Sequence, residues 1–338
     1  MRAAVYLGKD RVEIKDDLEQ PKPNSNEVLV KVRYCGICGS GVESFKHGGL
    51  YLPNKILGHE FSGDIVEIGG SVKGFKIGDR VSVNPGLPCG ECYWCKQSKE
   101  NMCKIANNAI GCTHDGGMAE YAAVRADQTH RIPDEMSYIE GACVEPLANC
   151  VYAVRESEIR LGENATVFGA GTIGLMTIQA LSAAGVHQIY AIEPVKFKQE
   201  KALELGALKC LEPKKYNKVS RFTEGRGPDY IFDCVGIPES IMSSINLITR
   251  GGKIMLLGIH VGSFEMKGWM QVPLKNIRLQ GIFGFTSEAF HTSLELIAHH
   301  KVDAKAIVTK IIKLDEVPAM FEELANPFHK EIKVLVEI

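Results

Sequence analysis

Cys89, Cys92, Cys95 and Cys103 stand as C-x2-C-x2-C-x7-C in a stretch rich in glycine and proline. Thiolates at such short spacing suit tetrahedral zinc, and four protein ligands would leave no position open to a substrate. The pattern therefore predicts a structural metal. Two further segments carry weaker signals, Cys35-Gly36-Ile37-Cys38-Gly39-Ser40 and Gly58-His59-Glu60. On spacing alone, Cys35 and Cys38 read either as a redox pair or as part of a metal site, and His59 as either a ligand or a core histidine. A third constellation is Gly169-Ala170-Gly171-Thr172-Ile173-Gly174, set between a short apolar run and a longer one. Its first glycine permits a tight turn, its second lets backbone approach a pyrophosphate, and its third lets helix pack on strand. The N–H groups opening the helix would then face the phosphates. Gly169, Gly171, Thr172, Ile173 and Gly174 are thus the candidate cofactor-binding residues. Glu193 ends the next apolar run, 22 residues past Gly171. A carboxylate there accepts hydrogen bonds from ribose hydroxyls and repels a 2′-phosphate, which favours NAD over NADP. Lys196 and Lys198 lie nearby and leave a phosphate open as the alternative.

The elements that must carry these groups follow from periodicity. In the first half, 27–34 alternates around Val28, Val30 and Val32; 63–68 and 80–83 are further short apolar runs among Gly and Pro. This predicts an irregular β-rich domain. From 165 the pattern changes. Strands are expected over 165–168, 188–192, 230–234 and 253–257, and helices over 173–184, 196–205 and 241–248. Such alternation implies βαβ units around a parallel sheet. The segment 277–285 reads as a strand leaving that sheet, followed by helices over 290–299 and 317–324 and a strand over 333–338. The expected fold is α/β: a doubly wound Rossmann sheet over 153–282, inserted into a β-rich domain made of 1–152 and 283–338.

Composition narrows the function. Of 338 residues, 39 are Lys or Arg and 41 Asp or Glu, a net charge of -2 that offers no footprint for nucleic acid or an acidic membrane. The segment 165–192 contains no Asp, Glu, Lys or Arg and so mimics a membrane span, but its glycines and polar residues suit a buried strand–turn–helix–strand better. Eleven cysteines, without the apolar stretch of a secretory leader, are expected to be reduced in a cytoplasmic protein.

Taken together, GHEFSGDIVEIGGSV (58–72), CGICGS, the four-cysteine segment, GAGTIG and Glu145-Pro146-Leu147-Ala148 resemble the zinc-dependent medium-chain alcohol dehydrogenases of the sorbitol, threonine and polyol dehydrogenase-like branch. The likeness runs along essentially the whole chain in matching order. It implies a GroES-like catalytic domain, two zinc ions per chain, NAD, a small-molecule alcohol substrate and a homodimer or homotetramer. It also implies that Cys38 and His59 ligate the catalytic zinc. Glu60 matches the acidic neighbour that binds the metal directly or intermittently. Glu145 matches an acidic position that ligates it directly or through water, and Ser40 the hydroxyl that relays the substrate proton. Cys35, Cys112, Cys143, Cys150, Cys210 and Cys234 match no ligand and read as packing. The implied reaction is hydride transfer from a secondary alcohol to NAD. The competing readings are a zinc-free quinone or enoyl reductase and a non-enzymatic NAD-binding protein on the same fold.

Two departures stand out. After CGICGS many relatives carry Asp, a hydrophobic residue and His, whereas Gly41, Val42 and Glu43 follow here. The missing Asp leaves a partner for a zinc ligand unaccounted for, and Glu43 stands where the later proton relay has His; His47, close by, reads either as a simple loop histidine or as a substitute for it. Near 281–285, sorbitol dehydrogenase-like chains show an arginine that faces the polyol; Gly284 offers no such group.

Overall fold

The computed structural model describes residues 1–259, 262–326 and 329–338. The chain divides into two compact units: Met1–Ala148 with Phe285–His299 and Ala304–Ile338, and Asn149–Gly284 with His300–Asp303.

The first unit is built on the strand Glu27–Gly36. Its Val28, Val30 and Val32 are buried while Lys31 and Arg33 are exposed, the period-two pattern of a strand with one covered face, until a register shift after Val32 turns Cys35 inward. It pairs antiparallel with Glu60–Ile68, with Tyr121–Arg125 and with Lys333–Glu337. Arg80–Val83, Thr129–Arg131 and Val308–Lys313 complete a seven-stranded sheet. Val28, Val30, Phe61, Ile65, Phe45 and Phe321 form part of the core against it. A second, three-stranded sheet holds Arg11–Lys15, Ala3–Gly8 and Lys55–Ile56.

Register decides what meets at the end of the central strand. Gly36 lies opposite Glu60 on one side and opposite Leu335 on the other. Cys38, two residues beyond Gly36, is therefore delivered beside His59, which just precedes its strand. Lys333, two residues before Leu335, is delivered to the same place from the other side. Cys38 caps the helix Gly39–His47, whose first turn returns the Gly41 and Val42 N–H groups to the Cys38 carbonyl.

The second unit is a six-stranded, wholly parallel sheet. Its spatial order is Lys209–Leu211, Gln188–Ile192, Asn164–Phe168, Tyr230–Asp233, Lys253–Leu256 and Arg278–Gly281. In sequence order this is 3-2-1-4-5-6, the doubly wound dinucleotide-binding arrangement. The helix Thr172–Ala183 is buried continuously from Gly174 to Leu181, which accounts for a segment without charge. Among the described residues no helix is long and apolar enough to cross a membrane.

One expectation needs correction. The segment 277–285 does not leave the sheet: Arg278–Gly281 is its sixth strand, with Lys253 paired to Arg278 and Leu256 to Gly281. Its alternating Arg278 and Gln280 suit an edge position, where among the described residues one flank faces no other strand.

Candidate active site

The ligand atoms of Cys38, His59 and Glu60 all lie within 4.8 Å of one another. Cys38 is half-buried, while His59 and Glu60 are buried. Gly58 aims the histidine: its φ is +96°, and a Cβ there would meet the Cys35 sulfur at 2.4 Å. Burial opposes a charge on His59, yet the sulfurs of Cys112 and Cys38 raise its pKa well above the ordinary value. The surroundings thus favour a cation at this place, which a zinc ion on the neutral ring would supply in place of the proton, and a sulfur–imidazole–carboxylate donor set fits zinc.

Glu60 does not stand alone. The Lys333 ammonium forms a short ion pair with Glu60 Oε2 and donates to the Ile37 carbonyl at 3.1 Å. Both side chains are 1% exposed. Burial lowers the lysine pKa, but Glu60 and Cys38 outweigh it and the net shift is upward. Gly36 makes room, since a Cβ there would meet Glu60 Oε2 at 2.0 Å and the end of Lys333 at 2.8 Å.

Ser40 is half-buried and donates to Cys38 Sγ at 3.1 Å. The Tyr51 hydroxyl lies 2.9 Å from Ser40 Oγ and 3.1 Å from His59 Nδ1. Burial, with the nearby sulfurs of Cys112 and Cys38, holds the Tyr51 phenol well above its usual pKa, hence neutral. A small cavity here is lined by Cys38, Gly41, Tyr51, His59, Met118 and Phe321 among others. A roomier groove of about 900 Å³ runs elsewhere in this unit, past Val5, Leu18, Cys89 and Arg125.

Glu145 is buried in the first turn of the helix Val144–Ser157. It lies outside the set formed by Cys38, His59 and Glu60. His47 is exposed and pairs with Glu43 at 3.5 Å, on the last turn of its helix. The hydroxyl next to Ser40 belongs to Tyr51; the sequence places Tyr51 only in a stretch, 47–51, that is a candidate pocket lining, and gives it no role beside the metal ligands. Nor does it give one to Lys333 or Cys112. Cys112, read as packing, is half-buried with its sulfur 3.6 Å from His59 Nδ1. None of the three carries a local motif. Burial of Cys35 raises its thiol pKa and that of Cys143 goes up to about 12, as expected for inert packing thiols.

The four-cysteine segment converges. Its Sγ–Sγ separations are 3.5 Å for Cys89–Cys103, 3.6 Å for Cys92–Cys95, 3.8 Å for Cys92–Cys103 and 4.0 Å for Cys89–Cys95. A tetrahedron with zinc–sulfur bonds of about 2.3 Å has edges of about 3.8 Å, so the sulfurs already form a zinc-sized cage. Backbone N–H groups of Cys95 and Lys104 lower the Cys92 pKa to about 6, favouring its thiolate.

In the second unit, Gly169 has φ +89°, and a Cβ on Gly174 would meet the Gly169 carbonyl at 1.9 Å. Gly171 caps the helix begun by Thr172 and Ile173. Glu193 is buried, accepting from the Ala170 N–H at 2.7 Å and the Val195 N–H at 2.9 Å. Its carboxylate ties the glycine loop to the end of the next strand, where a ribose is read in this fold.

Residues 24–134 match the model of the alcohol dehydrogenase GroES-like domain, and residues 172–299 that of the zinc-binding dehydrogenases. The chain is 34% identical to the (R,R)-butanediol dehydrogenase of Bacillus subtilis, over 99% of each chain. It is 31% identical to the sorbitol dehydrogenase of the same organism, over 99% of this chain and 97% of that one. The crystal structure of 2R,3R-butanediol dehydrogenase from Bacillus subtilis superposes with a TM-score of 0.90, covering 100% of this chain and 99% of that one at 33% identity.

Proposed function

The chain belongs to the zinc-dependent medium-chain alcohol dehydrogenase family, and from that premise we propose how it oxidises a secondary alcohol by hydride transfer to NAD. The substrate class is a polyol, sugar, cyclitol or amino-alcohol derivative. The observation that carries the reading is the convergence of Cys38, His59 and Glu60 within 4.8 Å, against four sulfurs in the other cluster. Three donors leave a coordination position for a substrate oxygen; four do not.

Cys38 and His59 would hold the catalytic zinc, with Glu60 or Glu145 as the further acidic group. Cys89, Cys92, Cys95 and Cys103 would hold the structural one. Bound zinc supplies a Lewis acid that makes the substrate hydroxyl more acidic, and NAD supplies the hydride acceptor. The chain's own residues do the rest. Ser40 offers its hydroxyl to the substrate proton. Glu60 places negative charge beside the site, and Lys333 fixes that carboxylate so that it does not swing away. Gly169, Gly171, Thr172, Ile173 and Gly174 present backbone N–H groups to the pyrophosphate, and Glu193 accepts from the ribose.

A homo-oligomer is part of this reading. Among the described residues the edge strand Arg278–Gly281 has a strand neighbour on one flank alone, and Trp269, Met270, Leu274 and Phe283, close to it in sequence, are exposed. The test of function is NADH formation against a panel of polyols, sugar phosphates, cyclitols, threonine and simple secondary alcohols, with and without a chelator. Chelator-sensitive turnover with one class is expected. Silence across the panel by protein that holds both zinc ions would refute the proposed substrate class.

A further inference from the structure

A metal on one nitrogen of an imidazole leaves the other nitrogen as an N–H, and the partner of that N–H fixes the tautomer and the angle of the ring. His59 Nδ1 has two neighbours: the Tyr51 hydroxyl at 3.1 Å and the Cys112 sulfur at 3.6 Å. The oxygen is both nearer and the stronger acceptor. The same hydroxyl is 2.9 Å from Ser40 Oγ, and Ser40 donates to Cys38 Sγ at 3.1 Å.

Donors and acceptors can be ordered along this path without conflict. His59 Nδ1–H donates to Tyr51, the Tyr51 O–H donates to Ser40, and the Ser40 O–H donates to the Cys38 sulfur. The chain of bonds starts on one metal ligand and ends on the other. The ring that closes it is held by packing: Tyr51 is 6% exposed and meets Tyr6 edge-on, with centroids 6.3 Å apart and planes at 80°. Tyr6 is itself anchored by donation to the Ser44 carbonyl at 2.7 Å.

Gly41 is what admits the phenol. A Cβ there would touch the Tyr51 ring and its hydroxyl at 3.5 Å and Phe321 at 3.6 Å. That is van der Waals contact, so anything longer than Ala would compete with Tyr51 for the same space. The position left without a carboxylate in the sequence is therefore the position that lets a tyrosine reach the histidine.

We propose that Tyr51 is the positioning residue of the catalytic metal site, its hydroxyl orienting His59 and coupling it through Ser40 to Cys38. This rests on the reading of Cys38 and His59 as metal ligands. Tyr51→Phe keeps the ring and its packing but removes the hydroxyl. Competition against a chromophoric chelator is expected to show catalytic-site zinc held about 10–100-fold more weakly. The four-cysteine zinc would be unchanged and report that the fold survives. Cobalt(II) at the catalytic site is expected to show a shifted ligand-field spectrum. Gly41→Leu reaches the same bond by crowding rather than deletion, should the phenylalanine variant not fold, and is expected to give the same loss. Affinity within twofold of the parent and a superimposable cobalt spectrum in either folded variant would overturn the proposal. A parent protein that binds only the four-cysteine zinc would instead overturn the ligand assignment beneath it.

Discussion

Replacing Lys333 by methionine is expected to destabilise the protein far more than an ordinary loss of charge. Lys333 and Glu60 are each 1% exposed, so the variant leaves a carboxylate buried without its counter-ion. Breaking one side of a buried pair costs about 3–5 kcal/mol, because the desolvation of the remaining charge is no longer offset. With a urea slope of about 3 kcal/mol/M, the unfolding midpoint would fall by about 1 to 1.7 M. Glu60→Gln combined with Lys333→Met removes both charges and should recover most of that loss, since a neutral pair of similar volume is often as stable. The cost should also be smaller with zinc at the catalytic site, where a cation beside Glu60 takes over part of the compensation. The assay is urea unfolding of the parent, both single variants and the double variant, with and without catalytic zinc. A Lys333→Met variant within about 1 kcal/mol of the parent in the zinc-free protein would refute the reasoning, because a charge desolvated to this degree cannot be left alone so cheaply.

His130 predicts a pH dependence. Burial, helped by the charge of His291, lowers its pKa to about 4 from an ordinary value of about 6.5. Its Nε2 has no hydrogen-bond partner and its ring packs on Phe290 with centroids 4.8 Å apart. The unfolded chain thus binds this proton more readily than the folded one, so stability falls as pH drops from about 6.5 to 4, by about 3 kcal/mol at most. His130→Phe should flatten that slope in urea unfolding across pH; an unchanged slope would show that other groups carry it. Glu193→Ala is expected to weaken NAD binding and narrow its preference over NADP in titrations. It removes the acceptor of the Ala170 and Val195 N–H groups as well as the proposed ribose acceptor; unaltered NAD affinity would take Glu193 out of the cofactor site.

The parts legible in the sequence are those whose signal is local. Alternating strand and helix periods announce the parallel sheet, and the glycines of 169–174 mark its loop because each answers a steric demand a few residues away. The four cysteines are close in sequence and so converge with little help from the fold. Cys38 and His59 were different: their spacing left a redox pair and a core histidine open, and only family resemblance singled them out. The first unit was harder to read. Lys55–Ile56 is too short to show a period, and Gly39–His47 is a helix although it opens on glycine and serine, residues that favour turns. Lys333 lies 273 residues from Glu60 and meets it only because two strands flank Gly36 in a particular register. Tyr51 and Cys112 reach His59 through packing of loops, which no spacing rule encodes.

The central claim is that Cys38 belongs to a working metal centre and the four-cysteine cluster to a structural one. Zinc stoichiometry measured beside turnover tests it most directly, in the parent, in Cys38→Ala and in Cys95→Ala. The account predicts two zinc ions per parent chain. Cys38→Ala should keep the structural zinc and the fold but lose the catalytic zinc and NADH formation, while Cys95→Ala should lose the other zinc and mainly stability. Robust turnover by a Cys38→Ala protein would contradict the account.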